Sequence, residues 1–241
     1  MEQVPKEFAR RLIDAARHEG RRSLDEEAAK QVLSAYGIEV PRSLRLAADG
    51  LMPSAFDLLV PPYVFKIMSP DVLHKSDMGG VRLGLSNAYE VLVARSEMAS
   101  AAARAGVRVD GFLVEETAPP GHDVVVGGIS DPCFGQTVMF GLGGIFVEVL
   151  KDVSFRICPI LPLDAREMLR ELRGAPILFG ARGGTPVDEP QVVDLLMRVA
   201  GPKGMLEELA DELAEVDLNP IILSANRAVA VDARFVLKER L

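Results

Sequence analysis

Residues 63–85 read YVFKIMSPDVLHKSDMGGVRLGL. The first six alternate rings with aliphatic side chains, the period-2 pattern of a strand, and Lys66 stands in the middle of them. From Ser69 to Gly80 the pattern dissolves into a polar segment that holds His74, Lys75, Asp77, Gly79 and Gly80. Loops this dense in reactive groups tend to be functional. Two readings of Lys66 stand side by side. A buried ammonium needs an anionic partner, since burying it alone costs several kcal/mol; on an edge strand the same lysine would sit in water and guard against stray pairing. His74 is similarly divided. A neutral imidazole is a competent nucleophile toward phosphorus near neutral pH, with Lys75 to screen phosphate charge and Gly79-Gly80 to present N–H groups. A solvated loop histidine without a role is the plainer reading.

Outward from this stretch, the pattern changes period. On the N-terminal side, Val4, Phe8 and Leu12 form one stripe of a helix ending near His18. Ser23 with Glu26 makes a capping box for a second helix with the stripe Leu24, Ala28 and Val32, and Gly37 is placed as its left-handed cap. On the other side, Ala88 to Arg104 reads as a helix closed by Gly106, and Val109 to Glu115 returns to strand. The middle of the chain is β-rich, with short strands at 123–129, 137–140 and 153–160 that the turn signals DPCFG and GLGG make antiparallel. Asp164 starts a helix to about Arg173, Thr185 with Pro186 opens another that runs to Gly201, and strands at 215–223 and 228–237 close the chain.

Three further features carry possible chemistry. Gly141-Leu-Gly-Gly144 follows a strand and would let backbone approach phosphates closely, or form a plain hairpin turn; it matches neither dinucleotide nor P-loop spacing. In EVDLNPIILSANRAVAVDARFVL, Asp217 and Asn219 share a strand face, and a turn centred between Ala225 and Asn226 sets Asn219 opposite Asp232. Three oxygen side chains would then converge as Mg²⁺ accepts them; the other reading is an ordinary Asn-Pro turn signal beside a surface pair of Asp232 and Arg234. Glu115-Glu116-Thr117 ends a strand and runs into APPG like a linker between lobes, where carboxylates and backbone would bind an adenine amino group and ribose, or simply face water.

Composition bounds the function. The 241 residues are 49% hydrophobic and 26% charged, enough to bury one large core or two small ones. Lys+Arg 27 against Asp+Glu 35 gives −8, a balance that repels a nucleic-acid backbone, so no nucleic-acid partner is expected. Cys133 and Cys158 lie apart without CxxC spacing and the three histidines do not join them, which disfavours zinc and fits a reducing cytosol. No stretch approaches the roughly 18 apolar residues of a membrane span, and the first residues lack a signal-peptide core. The expectation is a cytoplasmic, untargeted chain with no membrane contact.

Taken in order, LDEEAAKQVLSAYGIEVP, YVFKIMSPDVLHKSDMGGVRLGL, GFLVEE, VVVGGISDPCFGQTVMFGLGGIFVEVLKDVSFRICPI, ARGGTP and EVDLNPIIL with AVDARFVL resemble the ATP-grasp domain of the ADP-forming (NDP-forming) acyl-CoA synthetases, and more closely its stand-alone archaeal β subunit. The resemblance spans nearly the whole chain from Leu24 to Leu237. It departs at Gln136, where a proline is usual, and at VEET in place of the commoner VQxM.

That resemblance implies an α+β, two-lobed ATP-grasp fold. The nucleotide would bind between a small N-terminal lobe, 23–106, and a β-rich C-terminal lobe, 107–241, after a helical extension over 1–22. It implies ATP/ADP and Mg²⁺ as cofactors. Lys66 would serve the phosphates, Glu115, Glu116 and Thr117 the adenine and ribose, and Gly141, Gly143 and Gly144 would lie near the phosphates. Asn219 and Asp232 match the family's Mg²⁺ positions, with Asp217 close by. His74 would accept phosphate from a phosphohistidine on a partner α subunit and pass it to ADP. That subunit would carry the CoA-binding and CoA-ligase domains in an α2β2 assembly. Two rivals are a carboxylate ligase of the same fold acting through an acyl phosphate, and a non-catalytic regulatory module.

Overall fold

A computed structural model describes residues 5–71 and 78–240 of the chain. They divide into a smaller unit, Pro41–Ala118, and a larger one made of Met1–Val40 and Pro119–Leu241.

The smaller unit is a four-stranded antiparallel sheet with one long helix. Its strands are β1 (Ser43–Leu46), β2 (Tyr63–Met68), β3 (Val81–Leu85) and β4 (Gly111–Glu116), in the order β1-β4-β2-β3, and its helix is α3 (Ala88–Ala105). Period-2 alternation in β2 and β4 sends Tyr63, Phe65, Ile67, Phe112 and Val114 to one face, where they pack with Val91, Ala94, Met98 and Ala102 of α3. Phe65 and Phe112 stack there with centroids 5.0 Å apart. The opposite face carries Lys66 and Glu115. Asn87 caps α3 by accepting from Glu90 N–H, and Gly106 ends it at φ 69, a left-handed turn that glycine adopts without a Cβ clash.

The larger unit is built on a six-stranded antiparallel sheet. Its strands are β5 (His122–Asp131), β6 (Gly135–Leu142), β7 (Val153–Ile157), β8 (Leu213–Leu223), β9 (Ala228–Ala230) and β10 (Arg234–Leu237), ordered β10-β8-β5-β6-β7 with β9 also on β8. Its helices are α1 (Pro5–His18), α2 (Glu26–Ala35), α4 (Ile145–Glu148), α5 (Pro162–Glu171), α6 (Ala175–Leu178), α7 (Glu189–Ala200) and α8 (Met205–Glu208). Val124, Val126, Val138, Phe140, Val216 and Leu218 point to the helix-covered face, where Ile13, Leu33, Met168, Leu169 and Leu196 meet them. In the turn DPCFG, Asp131 Oδ1 accepts the N–H groups of Cys133 at 2.7 Å and Phe134 at 2.9 Å and closes the β5–β6 hairpin. Gln136 is buried and donates to Ala210 O at 3.2 Å.

Several boundaries differ from the sequence expectation. The cap of α2 is Asp25, which accepts from Ala28 N–H at 2.9 Å, rather than Ser23; Ser23 bridges to Val236, and Leu24 N–H donates to Phe235 O. Asp164 is the third residue of α5, where it accepts the Leu161 N–H at 2.7 Å. Thr185 and Pro186 precede α7 by several residues, because Val187 N–H is held by Leu178 O and the helix starts behind Asp188. The units divide the chain at 40/41 and 118/119, where the sequence reading drew 22/23 and 106/107. The reason is physical: β4 is an interior strand of the smaller sheet, and α1 and α2 bury Ile13, Val32 and Leu33 in the larger core.

Candidate functional site

Lys66 lies on β2, an interior strand flanked by β3 and β4, so the edge-strand reading fails. Its register partner on β4 is Leu113, which makes Glu115 its diagonal neighbour on the same face. The ammonium reaches Glu115 Oε2 at 2.9 Å, with side chains 7% and 1% exposed. The anion that a buried lysine needs is thus a carboxylate two residues along the neighbouring strand.

Glu116 and Thr117 are engaged within the smaller unit. Glu116 Oε1 accepts Val60 N–H at 3.0 Å and pairs with Arg42 at 3.3 Å. Thr117 donates to Pro62 O from both Oγ1, at 2.7 Å, and its backbone N–H, at 3.1 Å. Both side chains tie the end of β4 to the segment before β2.

In the larger unit, the glycine stretch corrects the expectation of a turn. Gly141 and Leu142 are the last residues of β6, paired with Val125 and Val124. Gly143 donates to Asp123 O at 2.7 Å, and Gly144, at φ 57, begins α4. A Cβ on Gly141 would fall 2.8 Å from Val153 Cγ1, and one on Gly143 2.9 Å from Asp123 Cβ. Close backbone packing therefore demands both glycines before any ligand is considered.

The C-terminal hairpin has the register read from the sequence. Ser224 N–H donates to Arg227 O at 2.8 Å, so the turn centres between Ala225 and Asn226. Ile221 sits opposite Ala230 and Asp217 opposite Arg234, and the same register sets Asn219 opposite Asp232. Strand 228–237 is interrupted, however, and Asp232 lies in the gap between β9 and β10. Val216 and Leu218 point into the core, so Asp217 and Asn219 take the other face. Lys66 and Glu115 in the smaller unit, and Asp217 and Asn219 in the larger, thus lie on the sheet face away from the helices. Among the described residues no group of three or more His, Cys, Asp and Glu side chains could hold a metal. The hairpin offers two carboxylates and an amide, a sparse set of hard oxygen donors. His74 lies outside the described residues.

An ATP-grasp domain model matches residues 15–237. The chain belongs to the ATP-grasp family. Among curated relatives it is 42% identical, over 98% of its own length and 100% of the other's, to the protein named acetate–CoA ligase [ADP-forming] I subunit beta of Pyrococcus furiosus. Among solved structures it is similar to acetyl-coenzyme A synthetase 1 of Ca. Korarchaeum cryptofilum with coenzyme A and Ca-AMPCP, at a TM-score of 0.88 and 42% identity, covering 95% of this chain and 100% of that one. The same enzyme with Mg-AMPPCP, its phosphohistidine segment pointing towards the nucleotide binding site, matches at 0.80 and 40% over the same shares. The ATP-grasp, α+β fold read from the sequence is therefore the fold of this chain.

Sequence reasoning missed two residues of this ATP-grasp chain that bear on the hairpin. Glu26, read as part of a capping box, pairs instead with Lys30 at 2.8 Å, and both are buried. The signal was a lysine four residues after a glutamate on a helix, which is ordinarily a solvated pair. Elsewhere, burial and a hydrogen bond to Glu208 push the Tyr36 phenol well above its usual pKa, which fixes it as a neutral donor. Among the described residues no helix is long and apolar enough to cross a membrane.

Proposed function

We propose that the chain is the nucleotide-binding β subunit of an ADP-forming acyl-CoA synthetase. With an α subunit it would convert acyl-CoA, ADP and phosphate to carboxylic acid, CoA and ATP. The observation that carries this reading is identity of 42% from end to end with a protein named as such a β subunit. The α partner would bring the CoA-binding and CoA-ligase domains, in an α2β2 assembly in the cytoplasm.

His74 takes the phosphoryl group from the partner's phosphohistidine, its ring nitrogen forming the new N–P bond as the old one breaks, and ADP then takes it from His74. Lys66 serves the phosphate charge. Its ammonium, a point charge with three donors, is of the kind that meets phosphate oxygens. The strand end Glu115 to Thr117 serves the base and ribose; carbonyl oxygens with two lone pairs can accept there even when already bonded. Gly141 in β6, with Gly143 and Gly144 just beyond the strand's end, serves as the backbone near the phosphates.

The hairpin's donor set fits Mg²⁺. Asn219 and Asp232, with Asp217 beside them, offer few protein oxygens, and Mg²⁺ favours one or two carboxylates with water and phosphate oxygens completing its shell. The chemistry supplied by the bound ion is charge neutralisation at the phosphate oxygens, where positioning and electrostatics do most of the work.

The test is reconstitution with an α subunit, following ATP formed from acetyl-CoA, ADP and phosphate. Wild type should form ATP, and His74→Ala should lose it by several orders of magnitude. Full ATP synthesis by His74→Ala would refute the carrier role.

A further inference from the structure

The hairpin keeps one register across its interruption, with 221–223 against 228–230 and 215–217 against 234–236. Pro220 therefore stands opposite Val231, one step from Asn219 and Asp232. At this pair the ladder runs one way. Val231 N–H donates to Pro220 O at 3.1 Å, and proline has no N–H to return. The Val231 carbonyl accepts instead from Lys30 Nζ at 2.8 Å. Lys30 reaches across from α2, its side chain 3% exposed, with Glu26 Oε1 at 2.8 Å as counter-ion. One residue further, Asp232 Oδ1 accepts Ala233 N–H at 2.9 Å.

A buried ion pair is a poor device for stability, since well-packed apolar side chains of the same volume usually do as well or better. What this pair does is supply a strong donor at the one place where Pro220 withdraws a donor from the ladder. We propose that Lys30, held by Glu26, is a positioning residue for the metal-binding hairpin. It fixes the Val231 carbonyl, and through it the backbone that aims Asp232 toward Asn219. Lys30 acts on the metal site through this carbonyl. The inference rests on the reading of Asn219 and Asp232 as metal ligands.

The test uses the full chain with Mn²⁺ as a paramagnetic stand-in for Mg²⁺, titrated in the presence of ADP and followed by electron paramagnetic resonance. Wild type is compared with Lys30→Met, and ADP binding without metal is measured in parallel. Partners behind a metal's own ligands are typically worth 10–100-fold in affinity. Lys30→Met should accordingly weaken Mn²⁺ by about tenfold or more, with metal-free ADP binding unchanged. In the reconstituted reaction it should raise the Mg²⁺ concentration for half-maximal rate and recover the rate at saturating Mg²⁺, a split that lowered stability alone does not produce. Equal Mn²⁺ affinity in wild type and Lys30→Met would overturn the inference. If Lys30→Met does not fold, Lys30→Gln decides: it keeps a donor without the charge and should weaken Mn²⁺ measurably, and unchanged affinity would again overturn the inference. Wild type that binds ADP with no Mn²⁺ dependence would overturn the metal-site reading itself, which is a different result from wild-type binding that Lys30→Met leaves intact.

Discussion

Replacing Lys66 by Met should cost the smaller unit much of its stability, and replacing Glu115 as well should restore most of it. At 2.9 Å and an effective dielectric near 20, the attraction between the two charges is about 6 kcal/mol. Desolvating both groups takes back several kcal/mol, so against apolar or neutral residues of similar volume the pair is close to neutral. Removing one partner is different, because the other charge stays buried; such losses run about 3–5 kcal/mol. Lys66→Met and Glu115→Gln should each fall in that range, whereas Lys66→Met/Glu115→Gln should lie within about 1–2 kcal/mol of wild type, a coupling of about 4 kcal/mol or more. The chain has no tryptophan, so urea unfolding is followed by circular dichroism. Hydrogen exchange of segments 63–68 and 111–116 localises the loss to β2 and β4. Additive single losses in the double variant would refute the buried-pair argument.

Gly143→Ala should destabilise by about 1–3 kcal/mol, because its Cβ would meet Asp123 Cβ at 2.9 Å and Asp123 O at 3.0 Å; an unchanged melting temperature would contradict this. Of the two free cysteines, exposed Cys133 should react with a thiol reagent at pH 8 within seconds. Cys158 should react only on unfolding, since burial first and Glu207 second push its thiol to about 12; mass spectrometry of the labelled chain reads both. Hydrogen bonds from Arg156 and then Ser154 lower the Glu171 carboxyl from its ordinary 4.5 to about 2. The ionised form is favoured in the folded state, so its small contribution is present above pH 4.5 and lost as pH falls toward 2. The stability gap between wild type and Glu171→Gln should therefore close over that interval in acid unfolding.

The elements visible in the sequence were those with period and punctuation. α3 runs from Ala88 and stops at Gly106, as expected. The hairpin register followed from counting residues on either side of Ala225-Asn226, since a ladder preserves the count. Short elements such as α6 and α8 escaped because four residues carry no period. The glycines at 141–144 misled because glycine permits a turn and a tight strand contact alike; only Val153 and Asp123 pressed against them distinguish the two. Lys66 was ambiguous until its neighbours were known, for burial of a charge depends on strands distant in sequence. Lys30 was invisible for the same reason: its partner carbonyl at Val231 is about two hundred residues away, and nothing local to α2 names it.

The most direct test of the phosphoryl-carrier account is the stability of phosphate on the purified chain after incubation with Mg²⁺-ATP, wild type beside His74→Ala. The account predicts an acid-labile, base-stable phosphate on the wild type and none on His74→Ala. Equal labelling of the two proteins, or a phosphate stable to acid, would contradict it.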